Sequence, residues 1–291
     1  GGGLAHDRHG DGGGGNGERN GGGDGEDEAA SAAAAEVDRA IVKDLDRIFP
    51  GHEYLDSQAM KDAVYSILKS YALRDEEVGY CQGMAYMATL SALFLAERDA
   101  FRLVVALMRP REEGGCGLRE MYEPGLGKLQ DMLLDLDRCL ETFLPSVSHL
   151  FRDCGVLTML FATNWILTLY AASFPTVMTC RLIDIMLSEG ECTILLRVAL
   201  AILAVCEREL LQCGDTEEVM SYLQTKCYTW TTEQLRAIIT KGQAIRLADW
   251  LPTDKEKEND EDEHEHEIIV RVALDVAEVV GAPIKLRLVT L

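Results

Sequence analysis

Ser57-Gln58-Ala59-Met60-Lys61-Asp62-Ala63-Val64-Tyr65-Ser66-Ile67-Leu68-Lys69-Ser70-Tyr71 places apolar side chains at Met60, Ala63, Val64, Ile67, Leu68 and Tyr71. Intervals of three and four residues are the period of a helix that buries one face, and Ser57 stands where an N-cap belongs. The same period recurs at 84–96, 100–108, 126–140, 147–151, 157–172, 182–187, 193–211 and 217–223, and nothing in this stretch alternates with the period of a strand. Pro50-Gly51, Pro110, Gly114-Gly115, Gly155, Pro175, Gly190 and Gly214 punctuate it, so the elements are expected to be separate helices joined by short loops. No repeat of fixed length is present, which argues against a solenoid of identical units. The expected fold class is all-α.

Outward from this core the composition changes. Residues 1–28 hold 13 of the 26 glycines and few apolar side chains, too little to offset the entropy of ordering. They are expected to be a disordered Gly/Asp-rich segment, with the first ordered element starting at the alanine-rich run 29–35 and continuing through Ile41. The main domain is expected over 29–250. Beyond Trp250 and Pro252, residues 254–267 carry nine acids against two bases and read as a solvated linker. His264 and His266 alternate with acids there, but no rigid framework would fix the geometry of a metal site. Residues 268–291 surround Gly281-Ala282-Pro283 and are expected to form a short hairpin or helix-strand piece of unknown role.

A net charge of −21 in 291 residues argues against sequence-independent binding to nucleic acid, and it disfavours an anionic membrane surface. The nine cysteines form no Cys-x-x-Cys pair, and several fall on apolar helical faces. With no secretory signal in the sequence, that pattern suggests reduced thiols and a cytoplasmic location. Residues 156–174 lack any charge and are long enough for a membrane span. Thr158, Thr163, Asn164 and Thr168 within them, and the absence of a basic flank, favour a core helix buried in protein.

On either side of 57–71 lie the runs that bear on chemistry. Ile41-Val42-Lys43-Asp44-Leu45-Asp46-Arg47 precedes it, and Gly79-Tyr80-Cys81-Gln82-Gly83-Met84 follows. An arginine can set positive charge against phosphoryl oxygens and a glutamine can orient an attacking water, yet neither is a nucleophile. Such a pair would complete another protein's active site. Alone, Asp44 and Arg47 would read as an ordinary surface ion pair worth little.

The order Ile41-x-x-Asp44-x-x-Arg47, Phe49-Pro50, one amphipathic helix, then Val78-Gly79-Tyr80-Cys81-Gln82-Gly83-Met84 resembles the TBC domain of Rab GTPase-activating proteins. Downstream runs are similar to the same family in the same order: Asp99-Ala100-Phe101, Met121-Tyr122, Leu144-Pro145, Asn164-Trp165-Ile166-Leu167-Thr168-Leu169-Tyr170, Phe174-Pro175 and Arg181-Leu182-Ile183-Asp184. The resemblance covers about residues 36 to 225 and implies a multi-helix TBC (Rab-GAP) domain with disordered flanks. It also implies that Arg47 is an arginine finger and Gln82 a glutamine finger, both acting in trans on GTP held by a Rab-family small GTPase. Asp44, Tyr80 and Gly83 would support them, the first by holding the guanidinium, the others by setting the glutamine loop. The partner would hold GTP and Mg2+, leaving this chain with no cofactor of its own. Any recruitment to endomembranes in vesicle trafficking would run through that partner, with no transmembrane segment.

Two departures from the family pattern stand out. Ile48 occupies the position after the finger arginine where a threonine is common, and glycine-rich sequence stands where further N-terminal helices are expected. Both favour an alternative, a non-catalytic TBC-like helical scaffold that binds a Rab or another trafficking protein. A third reading, a structural all-α domain with coincidental motifs, would bury or separate Arg47 and Gln82. Trp165, Tyr170 and Phe174 are expected in the core, and Asp184 in a buried ion pair. The N-terminal glycines lack the strand, the Gly-Lys-Ser/Thr ending and the helix of a phosphate loop, so no GTP site of its own is expected.

Overall fold

A computed structural model describes residues 23–226 and 229–247, and among these every regular element is helical. The helices are α1 (Gly23–Leu45), α2 (Gln58–Arg74), α3 (Met84–Phe94), α4 (Glu97–Met108), α5 (Arg119–Tyr122) and α6 (Gly127–Phe143). They continue as α7 (Pro145–Cys154), α8 (Met159–Leu167), α9 (Thr176–Glu189), α10 (Ile194–Leu210), α11 (Thr216–Lys226) and α12 (Thr232–Ala244). Residues through Glu36 form one unit and those from Val37 another. In the first, the described residues are the opening turns of α1, which begins at Gly23, inside the segment expected to be unfolded. The remainder of that segment lies outside the described residues, as do the acidic run with His264 and His266 and the C-terminal piece.

In the second unit the sequence periodicity becomes packing. The Ser57 hydroxyl accepts the Met60 amide at 3.4 Å, and α2 buries Met60, Val64, Ile67, Leu68 and Tyr71 on one face. α2, α3 and α4 pack on one another. α10 buries twelve of its seventeen residues, including every one from Ile194 to Leu203, and it packs against α6, α7, α8, α9 and α12. α5 touches both α4 and α6 and so connects the two groups. Glycine at 242 lets α12 approach α10: a Cβ there would lie 2.8 Å from Val198 Cγ2.

The charge-free stretch is buried, but it is not one helix. α8 stops at Leu167, and Leu169 and Tyr170 then take φ of 50° and 69°. Tertiary bonds hold this left-handed turn: the Tyr170 hydroxyl donates to the Leu195 carbonyl at 2.6 Å, and the Thr179 hydroxyl to the Leu169 carbonyl at 2.7 Å. Among the described residues, no helix is long and apolar enough to cross a membrane. Trp165, Tyr170 and Phe174 lie in the core with ring centroids 5.3–6.0 Å apart. Asp184 departs from expectation. It is exposed and meets Arg181 at 3.6 Å at the surface, because α9 turns that face outward.

Candidate functional site

The last turn of α1 tightens as the amides of Arg47 and Ile48 both donate to the Asp44 carbonyl, at 3.0 and 3.1 Å. Phe49 then reverses the chain with φ of 46°, a left-handed conformation unusual for a non-glycine residue. Burial offsets that strain: Leu45, Ile48 and Phe49 all enter the core, and the Phe49 ring meets the edge of Tyr86 at 5.4 Å. Arg47 is thus carried on a turn anchored on both sides. Ile48, the departure from the family pattern, points its side chain into the core.

The following loop is tied down separately. Asp56 accepts the Gly51 amide at 2.8 Å and the Lys61 ammonium at 2.9 Å, and Lys61 also reaches Asp46 at 3.3 Å. The Gly51 amide, and after it Lys61, holds the Asp56 carboxyl below its ordinary range. His52 Nδ1 accepts the amides of Tyr54 and Leu55.

Between α2 and α3, residues 75–83 form the second loop. Val78 is buried, Gly79 takes φ of 57°, and the Gly79 amide donates to the Asp75 carbonyl at 2.8 Å. The Cys81 amide donates to Met84 Sδ at 3.2 Å. Gln82 is exposed at the start of α3. Gly83 follows with φ of 104°, and a Cβ on it would lie 2.6 Å from the Leu167 carbonyl oxygen, so only glycine fits. The Tyr122 hydroxyl donates to that same carbonyl at 2.8 Å.

One carboxylate joins the two loops. Asp44 Oδ1 takes Arg47 Nη2 at 2.5 Å, and Asp44 Oδ2 takes the Tyr80 hydroxyl at 2.5 Å. The Asp44 side chain is 7% exposed and that of Arg47 30%, so a buried anion holds a cation that still reaches solvent. Burial, and then the Asp44 charge and hydrogen bond, push the Tyr80 hydroxyl well above its ordinary range against the opposing Arg47, so Tyr80 remains the donor. Burial with the Asp44 charge also raises the Cys81 thiol to about 11. Tyr86 is raised to about 12 by burial, with Arg47 pulling it down and Asp44 pushing it up.

Asp44 is therefore in direct contact with both Arg47 and Tyr80, and Gln82 and Gly83 follow Tyr80 on the same loop. Sequence reasoning missed a second cluster at the base of that loop, where Arg119 of α5 grips Asp75. The nearest signal was Arg119-x-x-x-Glu123, an ordinary i, i+4 helix pair. Among the described residues no group of three His, Cys, Asp or Glu side chains could hold a metal ion. A cavity of about 500 Å³ between α9 and α12, lined by Val177, Arg181, Leu235 and Arg236 among others, includes none of the five candidate site residues. Chemically, the site offers a cation and a carboxamide on two braced loops.

A sequence model described as the Rab-GTPase-TBC domain matches residues 23–211. The chain is 31% identical over 204 residues to TBC1 domain family member 4 of Mus musculus, covering 69% of this chain and 15% of that protein. It is 34% identical over 189 residues to the Rab GTPase-activating protein tbc-11 of Caenorhabditis elegans, covering 64% of this chain and 20% of that one. The chain thus spans no more than a fifth of either relative's length. Among solved structures, its fold is similar to the Chlamydomonas flagellar RabGAP TBC domain, with TM-score 0.58, 24% identity and 75% of each chain covered. It is also similar to the Ypt/Rab-GAP domain of Gyp1p, with TM-score 0.62, 18% identity and coverage of 72% and 73%.

Proposed function

The chain belongs to the Rab-GTPase-TBC domain family, and on that premise we propose that it accelerates GTP hydrolysis by a Rab-family small GTPase through Arg47 and Gln82 supplied in trans. The observation that carries this reading is the Asp44 carboxylate shared between Arg47 and Tyr80. A partly exposed guanidinium held by a buried carboxylate is preorganised, so little rotamer freedom is lost when it meets phosphoryl oxygens. Its charge offsets what builds on the oxygens between the β- and γ-phosphates. The Gln82 carboxamide, donor and acceptor at once, orients water for in-line attack. GTP and Mg2+ belong to the partner. An arginine finger of this kind contributes about 10³–10⁵ in rate, or roughly 4–7 kcal/mol of barrier. The setting is cytoplasmic, with recruitment to endomembranes through the Rab.

Single-turnover GTP hydrolysis by a panel of Rab proteins tests the reading. Wild type accelerates at least one member, Arg47→Ala abolishes the acceleration and Gln82→Ala severely reduces it. Wild type that binds a Rab without raising turnover would instead select the non-catalytic scaffold.

A further inference from the structure

The Arg119 guanidinium meets three carboxylates at the base of the glutamine loop. Its Nε donates to Asp75 Oδ2 at 2.7 Å and its Nη2 to Asp75 Oδ1 at 3.0 Å, a two-pronged grip. Nη2 also reaches Glu77 at 2.6 Å, and Nη1 reaches Glu123. The Asp75 side chain is 16% exposed and has further donors: the Tyr71 hydroxyl at 3.0 Å and the Val78 amide at 3.4 Å. Asp75 caps the end of α2, and its carbonyl accepts the amide of Gly79, the residue before Tyr80, so Asp75 sets the path of the loop as it leaves the helix. Arg119 comes from α5, which also supplies Tyr122 to the Leu167 carbonyl against which Gly83 is packed. One four-residue helix therefore braces both ends of the loop.

We propose that Arg119 is a positioning residue for Gln82: locked on Asp75, it fixes the entry of the loop, while Tyr122 and the Leu167 carbonyl fix its exit. The proposal rests on the GTPase-activating reading for its kinetic consequence, but not for its structural one. A planar fork bound at two points defines an orientation that a lysine ammonium cannot reproduce. A displacement of about 1 Å at an orienting group can cost about 100-fold in rate.

The test uses the full chain with Arg119→Lys and Asp75→Asn, in wild-type and Gln82→Ala backgrounds. Hydrogen exchange of the Val78 and Gly79 amides, measured without any Rab, is expected to quicken in both single variants by more than any change in global stability accounts for. In single-turnover hydrolysis with an activated Rab, the saturating rate is expected to fall by about 10- to 100-fold with little change in the half-saturating Rab concentration. In the Gln82→Ala background Arg119→Lys should then add almost nothing, as coupled residues do. Unchanged exchange overturns the positioning role, and so does a loss of rate that multiplies fully with Gln82→Ala or tracks a fall in the thermal midpoint. If wild type activates no Rab while the exchange result holds, the function proposed above fails and the brace stands.

Discussion

The Tyr80 hydroxyl donates to Asp44 Oδ2 at 2.5 Å across 36 residues of sequence, tying the loop after α2 to the last turn of α1. The other oxygen of the same carboxylate holds Arg47. A buried carboxylate needs its donors, because the penalty for an unpaired buried charge exceeds the net gain from making the bond. Asp44 therefore does more than support the arginine next to it. It makes the placement of one loop conditional on the other.

Tyr80→Phe keeps the ring and removes only the donor. It is expected to lower stability by about 1–3 kcal/mol, the cost of a charged hydrogen bond lost in a buried setting. Urea unfolding followed by circular dichroism measures it. Activation of the Rab should fall further than stability alone accounts for, since Arg47 then shares a carboxylate that is free to rotate. A variant with wild-type unfolding and wild-type rate would show that the bond contributes nothing.

Gly83→Ala meets two obstacles. The backbone there has φ of 104°, and the new methyl would sit 2.6 Å from a main-chain oxygen that also serves Tyr122. Left-handed strain alone costs roughly 1–3 kcal/mol, and the carbonyl cannot yield as a flexible side chain would. The variant is expected to unfold at clearly lower urea and to lose activation of the Rab. Retention of both would mean that the start of α3 moves without cost.

Parts of this arrangement were legible in the sequence. Ser57 and the apolar period after it define α2, and Asp44-x-x-Arg47 already places an acid and a base one turn apart on a helix. α12 escaped notice although Thr231-x-x-Gln234 forms a capping box with both bonds in place. The end of α8 was not readable, because no glycine or proline marks it. Leu169 and Tyr170 take left-handed backbone there, and bonds to the Thr179 hydroxyl and the Leu195 carbonyl, later in the sequence, help to hold it. The same limit hid Arg119, whose partner Asp75 lies 44 residues earlier on another helix's end. Local patterns reveal caps and faces; contacts between loops arise from packing.

Cys81 adjoins Gln82, yet its thiol is raised to about 11 by burial and by the Asp44 charge. At pH 8 only about one part in a thousand would be thiolate, and the thiolate is the reactive form. Alkylation by iodoacetamide at that pH should leave Cys81 unmodified long after unfolded chain has reacted, as peptide mass spectrometry can follow. In Asp44→Asn, one of the two raising influences is gone and Cys81 should react sooner. Rapid labelling of Cys81 in the wild-type chain would contradict the described environment.

Acid should loosen both loops over one window. Asp56 is held below its ordinary range first by the Gly51 amide and then by Lys61, and Asp75 is held below its range chiefly by Arg119. A carboxyl with a lowered folded value binds fewer protons folded than unfolded, so its contribution is present above the unfolded value, about 4, and is lost as pH falls through the folded value. Between about pH 5 and 8 these two groups impose no pH dependence on stability, and below about 4 they destabilise the fold progressively. Asp56→Asn cannot take part, so its stability should decline less steeply than that of wild type below about pH 4, after a lower starting point at neutral pH. Chemical denaturation at a series of pH values gives both curves. Parallel acid limbs would show that the Gly51 and Lys61 contacts do not hold Asp56 in the folded chain.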